Sequence, residues 1–267
     1  RGDGAFEGEH MSGLRMARMD GIARVVFDRP TVLNALSPDL LRDLIDVCGD
    51  LANSDGTKVV VFEGSGGSFS AGADLPAFLV ELGKADPSAA ADLGRRATNA
   101  IADLPQITIA GVAGHCVGGG LVLAGACDIR LASDDAKFSI PELDAGIPLA
   151  WGGIAHLVRL VGETVAADLV LSCRPFGADE ALRSGLVSRV VSSGDLEREL
   201  GSLASSIAHK PTFVLRTTKQ QLKAVRSGEF DARADAAALL SALSDPESLE
   251  AGRRYISERI RGAGGAA

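Results

Sequence analysis

At 267 residues, 46% of them hydrophobic, the chain can bury the core of one large domain, or of one domain with an appendage. A formal net charge of −8 argues against nucleic acid or an anionic membrane surface as a main partner. Cys48, Cys116, Cys127 and Cys173 lack C-x-x-C spacing, and the four histidines are too dispersed for an H-x-x-x-H site. Free thiols in a reducing, cytoplasmic setting and no metal are therefore expected.

Residues 1–10 are polar, Gly-rich and unpatterned. They read as an appended remnant or a disordered leader ahead of a native start at Met11. No signal-peptide pattern precedes the first strand, and no apolar run approaches the ~20 residues of a membrane span. Residues 22–27 (IARVVF) read as that strand, followed by a turn at Asp28-Arg29-Pro30. Ser37 and Pro38 then open a helix in which Leu40, Leu41, Leu44, Ile45, Val47, Cys48 and Leu51 recur at helical spacing. Residues 58–62 (KVVVF) form a buried strand. Helical patterns over 76–104 break at Asp86-Pro87, which suggests a mobile connection. Residues 107–112 are a further strand, 118–126 a helix of small apolar residues, and 128–132 and 137–140 short strands. Beyond Pro148 the pattern is mostly helical (152–161, 163–172, 178–184, 195–209, 211–226, 230–243, 246–260), with one β-rich run at 186–191. An α/β core over 11–195 and a helical C-terminal region over 196–267 follow from this reading.

Two strand-to-turn-to-helix junctions are rich in small residues: Ser68-Phe69-Ser70-Ala71-Gly72-Ala73-Asp74-Leu75 and, about 45 residues on, His115-Cys116-Val117-Gly118-Gly119-Gly120. At such junctions unpaired backbone N–H groups point outward at the positive end of a helix dipole. Two of them facing each other make an oxyanion hole from main chain alone. The chain contains no G-x-S-x-G elbow, no P-loop and no G-x-G-x-x-G fingerprint.

The ordered set of motifs resembles the crotonase (enoyl-CoA hydratase/isomerase) superfamily over roughly residues 14–260. The set comprises Asp28-Arg29-Pro30, Asn34-Ala35-Leu36, Ser70 through Leu75, Gly118-Gly119-Gly120, Cys127-Asp128-Ile129-Arg130, Phe138 through Glu142, and Gly146-Ile147-Pro148. The resemblance implies a spiral of ββα units with a helical C-terminal region that forms homotrimers, often paired as hexamers. It implies an acyl-CoA thioester as substrate, coenzyme A being part of that substrate and no separate cofactor being needed. The thioester oxygen would sit between the N–H groups of Ala73 and Gly119, with Ala35, Ala71, Asp74, Leu75 and Gly118 lining the nucleotide and pantetheine site. Many members carry a basic residue just before Asn-Ala-Leu. Thr31-Val32-Leu33 stands there, leaving Arg29 and Lys219 as candidate cations for the phosphates.

Hydratases of the family use two glutamates. The first position falls at Val122 here and the second is kept as Glu142, while Ala150 occupies a site that is aspartate in some dienoyl isomerases and dehalogenases. One carboxylate suffices to move a proton from the α- to the γ-carbon of a 3-enoyl thioester, which implies a Δ3,Δ2-enoyl-CoA isomerase with Glu142 as sole acid/base. The alternatives are a specialised or weak hydratase, with Asp144 as a candidate second group, and a non-catalytic acyl-CoA binder. Asp128 and Arg130 read as a structural pair, His115 as packing or support of the turn, and Trp151 either as a wall of the acyl pocket or as core.

Overall fold

The computed structural model of the chain describes residues 9–84 and 86–264. The described residues begin with a meander of β1 (Glu9–Met11), β2 (Leu14–Met19) and β3 (Ile22–Phe27). Residues 1–8 of the expected leader lie outside the described residues, whereas Glu9 and His10 pair with Met16 and Arg15 of β2. Strand β2 has no counterpart in the sequence reading. Its signal is Asp20-Gly21, both at positive φ (51° and 78°), the two-residue turn that right-twisted hairpins favour.

Helix α1 (Pro38–Ala52) starts as its sequence requires, Ser37 Oγ accepting from Leu40 N at 3.3 Å. Then come β4 (Val59–Gly64), α2 (Leu75–Leu82), α3 (Pro87–Ala102), β5 (Ile107–Val112), β6 (His115–Val117), α4 (Gly119–Ala126), β7 (Ile129–Ser133) and β8 (Lys137–Ser139). The break at Asp86-Pro87 is a helix start, with Asp86 Oδ1 accepting from Ala89 N at 3.1 Å. Next are α5 (Gly153–Val161), α6 (Glu163–Ser172), β9 (Phe176–Gly177), α7 (Ala178–Arg183) and β10 (Arg189–Val191). The described chain ends with α8 (Leu196–Ala208), α9 (Thr212–Ser227), α10 (Ala234–Ala242) and α11 (Pro246–Gly264).

One sheet runs β1-β2-β3-β4-β5-β7-β10, antiparallel up to β3 and parallel beyond it, and a second runs β6-β8-β9. Alternation assigns the strand residues to two cores. Val60, Phe62, Ala110 and Ala132 face α1, α3 and α4, whereas Val59, Val61, Ile109 and Leu131 face Leu196, Leu200, Ala204 and Ile207 of α8. A boundary at residue 195 therefore does not follow the packing, because α8 covers the second face of a sheet buried on both sides. Strands β4 and β5 are parallel neighbours, Val59 opposite Ile107, so both glycine-rich turns leave the sheet at the same end. That end carries the site.

Candidate active site

The first turn is held by Asn34, fully buried at φ +57°. Its Nδ2 donates to Ser65 O (2.9 Å) and Ser68 O (2.7 Å), and its Oδ1 accepts from Arg29 N (2.8 Å). Ser70 then laces the two turns together. Its Oγ donates to Asn34 O (2.8 Å) and accepts from Gly72 N (3.1 Å), while its backbone pairs with His115 O and Val117 N. Gly72 (φ +90°) lies against the second turn so closely that a Cβ would come within 2.8 Å of Val117 O. After this lacing, Ala73 N and Gly119 N have no acceptor among the described residues. Gly119 opens α4, whose dipole adds positive potential at the same point.

Below these donors lies a cavity of about 310 Å³. Ala73, Gly119, Val122, Phe78, Leu149 and Trp151 contribute to its walls, and Glu142 is the sole ionisable side chain among the lining residues. Glu142 stands on the segment between β8 and α5, closed by Ile147 N donating to Glu142 O at 3.0 Å. Its Oε2 is buried without a hydrogen-bond partner. Burial raises its carboxyl above the ordinary range, partly offset by its own backbone amide. Gly118 (φ +49°, ψ −118°) presses against this carboxylate, and a Cβ there would lie 3.1 Å from Glu142 Cδ.

Val122, 2% exposed, and Ala150 also line the cavity, so both positions where the family can hold a second acid are apolar here. Asp144 is exposed and lines no part of it. His115 also stands apart, its Nδ1 3.4 Å from Ser68 Oγ. Trp151 combines the two roles read for it. It walls the cavity and packs between Gly94 and Gly119, with its ring centroid 5.9 Å from that of Phe78. Gly94 escaped the sequence reading, although an isolated glycine inside a helical pattern was a usable signal of close packing.

The remaining site residues fall into one neighbourhood and two corrections. Residues 33–36 run alongside 71–74 (Ala71 N to Leu33 O, Leu36 N to Gly72 O, Asp74 N to Leu36 O), which brings Ala35 beside Ala71 and Asp74. Leu75 follows as the exposed first residue of α2. Asp74 is already engaged: Oδ1 caps α2 through Ala77 N, and Oδ2 receives Arg29 Nη2 at 3.0 Å. Lys219 cannot meet a phosphate. It is 5% exposed, with Nζ on Gln106 O and on Asp128 Oδ2, both at 2.7 Å. Asp128 thus pairs with Lys219, and Arg130 donates instead to Leu186 O and Cys127 O (2.6 Å each). Both acidic and basic members of that motif are structural, but not with each other.

The family model described as enoyl-CoA hydratase/isomerase matches residues 17–261. The chain belongs to the enoyl-CoA hydratase/isomerase, or crotonase, superfamily. Among its relatives is a short-chain-enoyl-CoA hydratase of Clostridium acetobutylicum, 35% identical over 75% of this chain and 77% of that protein. A crotonyl-CoA hydratase of Syntrophomonas wolfei is 34% identical over 76% and 78% of the two chains. A crystal structure titled enoyl-CoA hydratase/carnithine racemase, from Magnetospirillum magneticum, superimposes with TM-score 0.87 at 28% identity, covering 93% of this chain and 94% of the other. Among the described residues of this crotonase, no cluster of three or more His, Cys, Asp or Glu could hold a metal ion. No described helix is long and apolar enough to cross a membrane.

Proposed function

We propose that this crotonase moves the double bond of a 3-enoyl-CoA thioester into conjugation, using Glu142 as its one acid/base. The observation that carries the reading is a single carboxylate, partly desolvated, in a cavity whose other lining side chains are apolar. Ionised Glu142 takes a proton from the α-carbon, and the electron pair flows to the thioester oxygen. Ala73 N–H and Gly119 N–H donate to that oxygen, each contributing about 3–4 kcal/mol by comparison with measured oxyanion donors. The neutral carboxyl then returns the same proton to the γ-carbon. Burial raises the pKa of this carboxyl, which makes its ionised form a stronger base toward the α-carbon. Ala35, Ala71, Asp74, Leu75 and Gly118 would bound the path of the pantetheine and nucleotide.

Hydration is the second reading, favoured by the names of the relatives in Clostridium and Syntrophomonas. Adding water needs one group to activate it and another to deliver a proton, and Val122 can do neither. The test sets a 3-enoyl-CoA beside crotonyl-CoA, with wild type beside Glu142→Gln. Turnover of the 3-enoyl substrate, abolished in the variant and with little hydration, supports isomerisation. Strong hydration of crotonyl-CoA refutes it. Assembly into trimers or hexamers is part of the same proposal, supported by exposed Leu239 and Leu240 on α10, Leu243 just beyond it, and Tyr255 and Ile256 on α11, and checked by light scattering.

A further inference from the structure

The cavity beside Glu142 exceeds what a four-carbon acyl group fills. A dry apolar cavity of about 150 Å³ holds one benzene, six carbons. At about 310 Å³, this one has room for roughly twelve non-hydrogen atoms. The sulfur, carbonyl and α-carbon gathered at Ala73, Gly119 and Glu142 would use about four of those places. The space left is bounded by Phe78, Leu79 and Leu82 of α2 and by Ala91 of α3. None of these side chains offers a hydrogen bond, so a hydroxyl or charge on the acyl tail would find no protein partner along this wall.

Trp151 is built into this wall with unusual force. It holds φ +60°, a conformation that bulky residues adopt only where the surroundings impose it. Its indole is wedged between α3 and α4: a Cβ on Gly94 would fall within the ring, and one on Gly119 would collide with its six-membered edge. Neither position accepts a larger residue with the indole in place, and the ring itself lines the cavity, so it takes up space between the two helices.

We propose that this crotonase prefers linear, unsubstituted acyl chains of about eight to ten carbons, the length that the cavity volume admits, with Trp151 as the residue that sets the limit. The inference rests on the acyl-CoA reading above but not on the direction of the chemistry. Its test is calorimetric binding of saturated butyryl-, octanoyl-, decanoyl- and palmitoyl-CoA to the full chain, since saturated thioesters bind without isomerising. Affinity should rise about two- to fourfold per methylene, making octanoyl-CoA at least about tenfold tighter than butyryl-CoA, and should level off by decanoyl-CoA. Trp151→Gly, which also relieves the positive φ, should extend the rise to longer chains. Ala91→Phe, at an exposed helical position, should collapse the octanoyl-to-butyryl ratio. Equal or tighter binding of butyryl-CoA by the wild type overturns the length preference, and an unchanged limit in Trp151→Gly overturns the role of the indole. Failure to bind any thioester overturns this inference and the acyl-CoA reading together. The expected length profile without turnover of a 3-enoyl-CoA leaves this inference standing and refutes the isomerase reading alone.

Discussion

Gly118→Ala probes the geometry of the site without touching its chemistry. Gly118 sits at φ +49° and ψ −118°, a region that a Cβ makes costly by about 1–3 kcal/mol. The added methyl would also overlap Glu142 Oε1 and lie 3.1 Å from Cδ, so the carboxylate must turn away. A displacement of about 1 Å at a reacting group costs on the order of 100-fold in rate. Stability should thus fall by about 1–3 kcal/mol in urea titration, and kcat/KM with a 3-enoyl-CoA should fall about 100-fold. Gly228→Ala is the matched control. Gly228 is also left-handed (φ +74°, ψ 13°) with nothing within 4 Å of a Cβ, so stability should drop by about 1–2 kcal/mol with activity intact. A Gly118→Ala enzyme that loses stability yet keeps kcat/KM within about twofold of wild type would refute the reasoning, since the ~100-fold loss expected from moving the base would be missing.

Burial raises the carboxyl of Glu142, so kcat/KM should rise with pH through an inflection above the ordinary carboxylate range, where the base ionises. The same shift destabilises the fold as pH rises from the ordinary glutamate value through the raised one, because the folded state holds the proton longer than the unfolded chain does. Glu142→Gln should accordingly melt above wild type at neutral pH, with the difference closing in acid. Val122→Glu should confer measurable hydration of crotonyl-CoA by supplying the second carboxylate, read as loss of the conjugated enoyl absorbance. Lys219→Met leaves the partly buried Asp128 without its cation, though still accepting from Thr108, and should cost about 2–3 kcal/mol in urea unfolding, with acyl-CoA affinity unchanged.

Much of the site was legible because its signals are local. Ser37-Pro38 starts a helix by capping, and the small residues of the two turns mark backbone that must approach a neighbour or adopt positive φ. Strand β2 escaped because Leu, Arg, Met and Ala are helix formers and Ala17-Arg18-Met19 breaks the period of two, so Asp20-Gly21 carried the only clear mark of the hairpin. Strands β6 and β9 are three and two residues long, too short for any periodicity.

The order of the motifs determined the family, and the identities at 122 and 142 determined how many carboxylates the site can hold. Those properties follow from residue type at a position, which a linear chain displays. Only the tertiary structure decided who meets whom: Lys219 with Asp128 rather than with a phosphate, Asp74 with Arg29, the indole of Trp151 between Gly94 and Gly119, and α8 against the far face of the sheet. Each of these joins residues distant in sequence through packing and desolvation, and none of the four has a signature in the residues taken one stretch at a time.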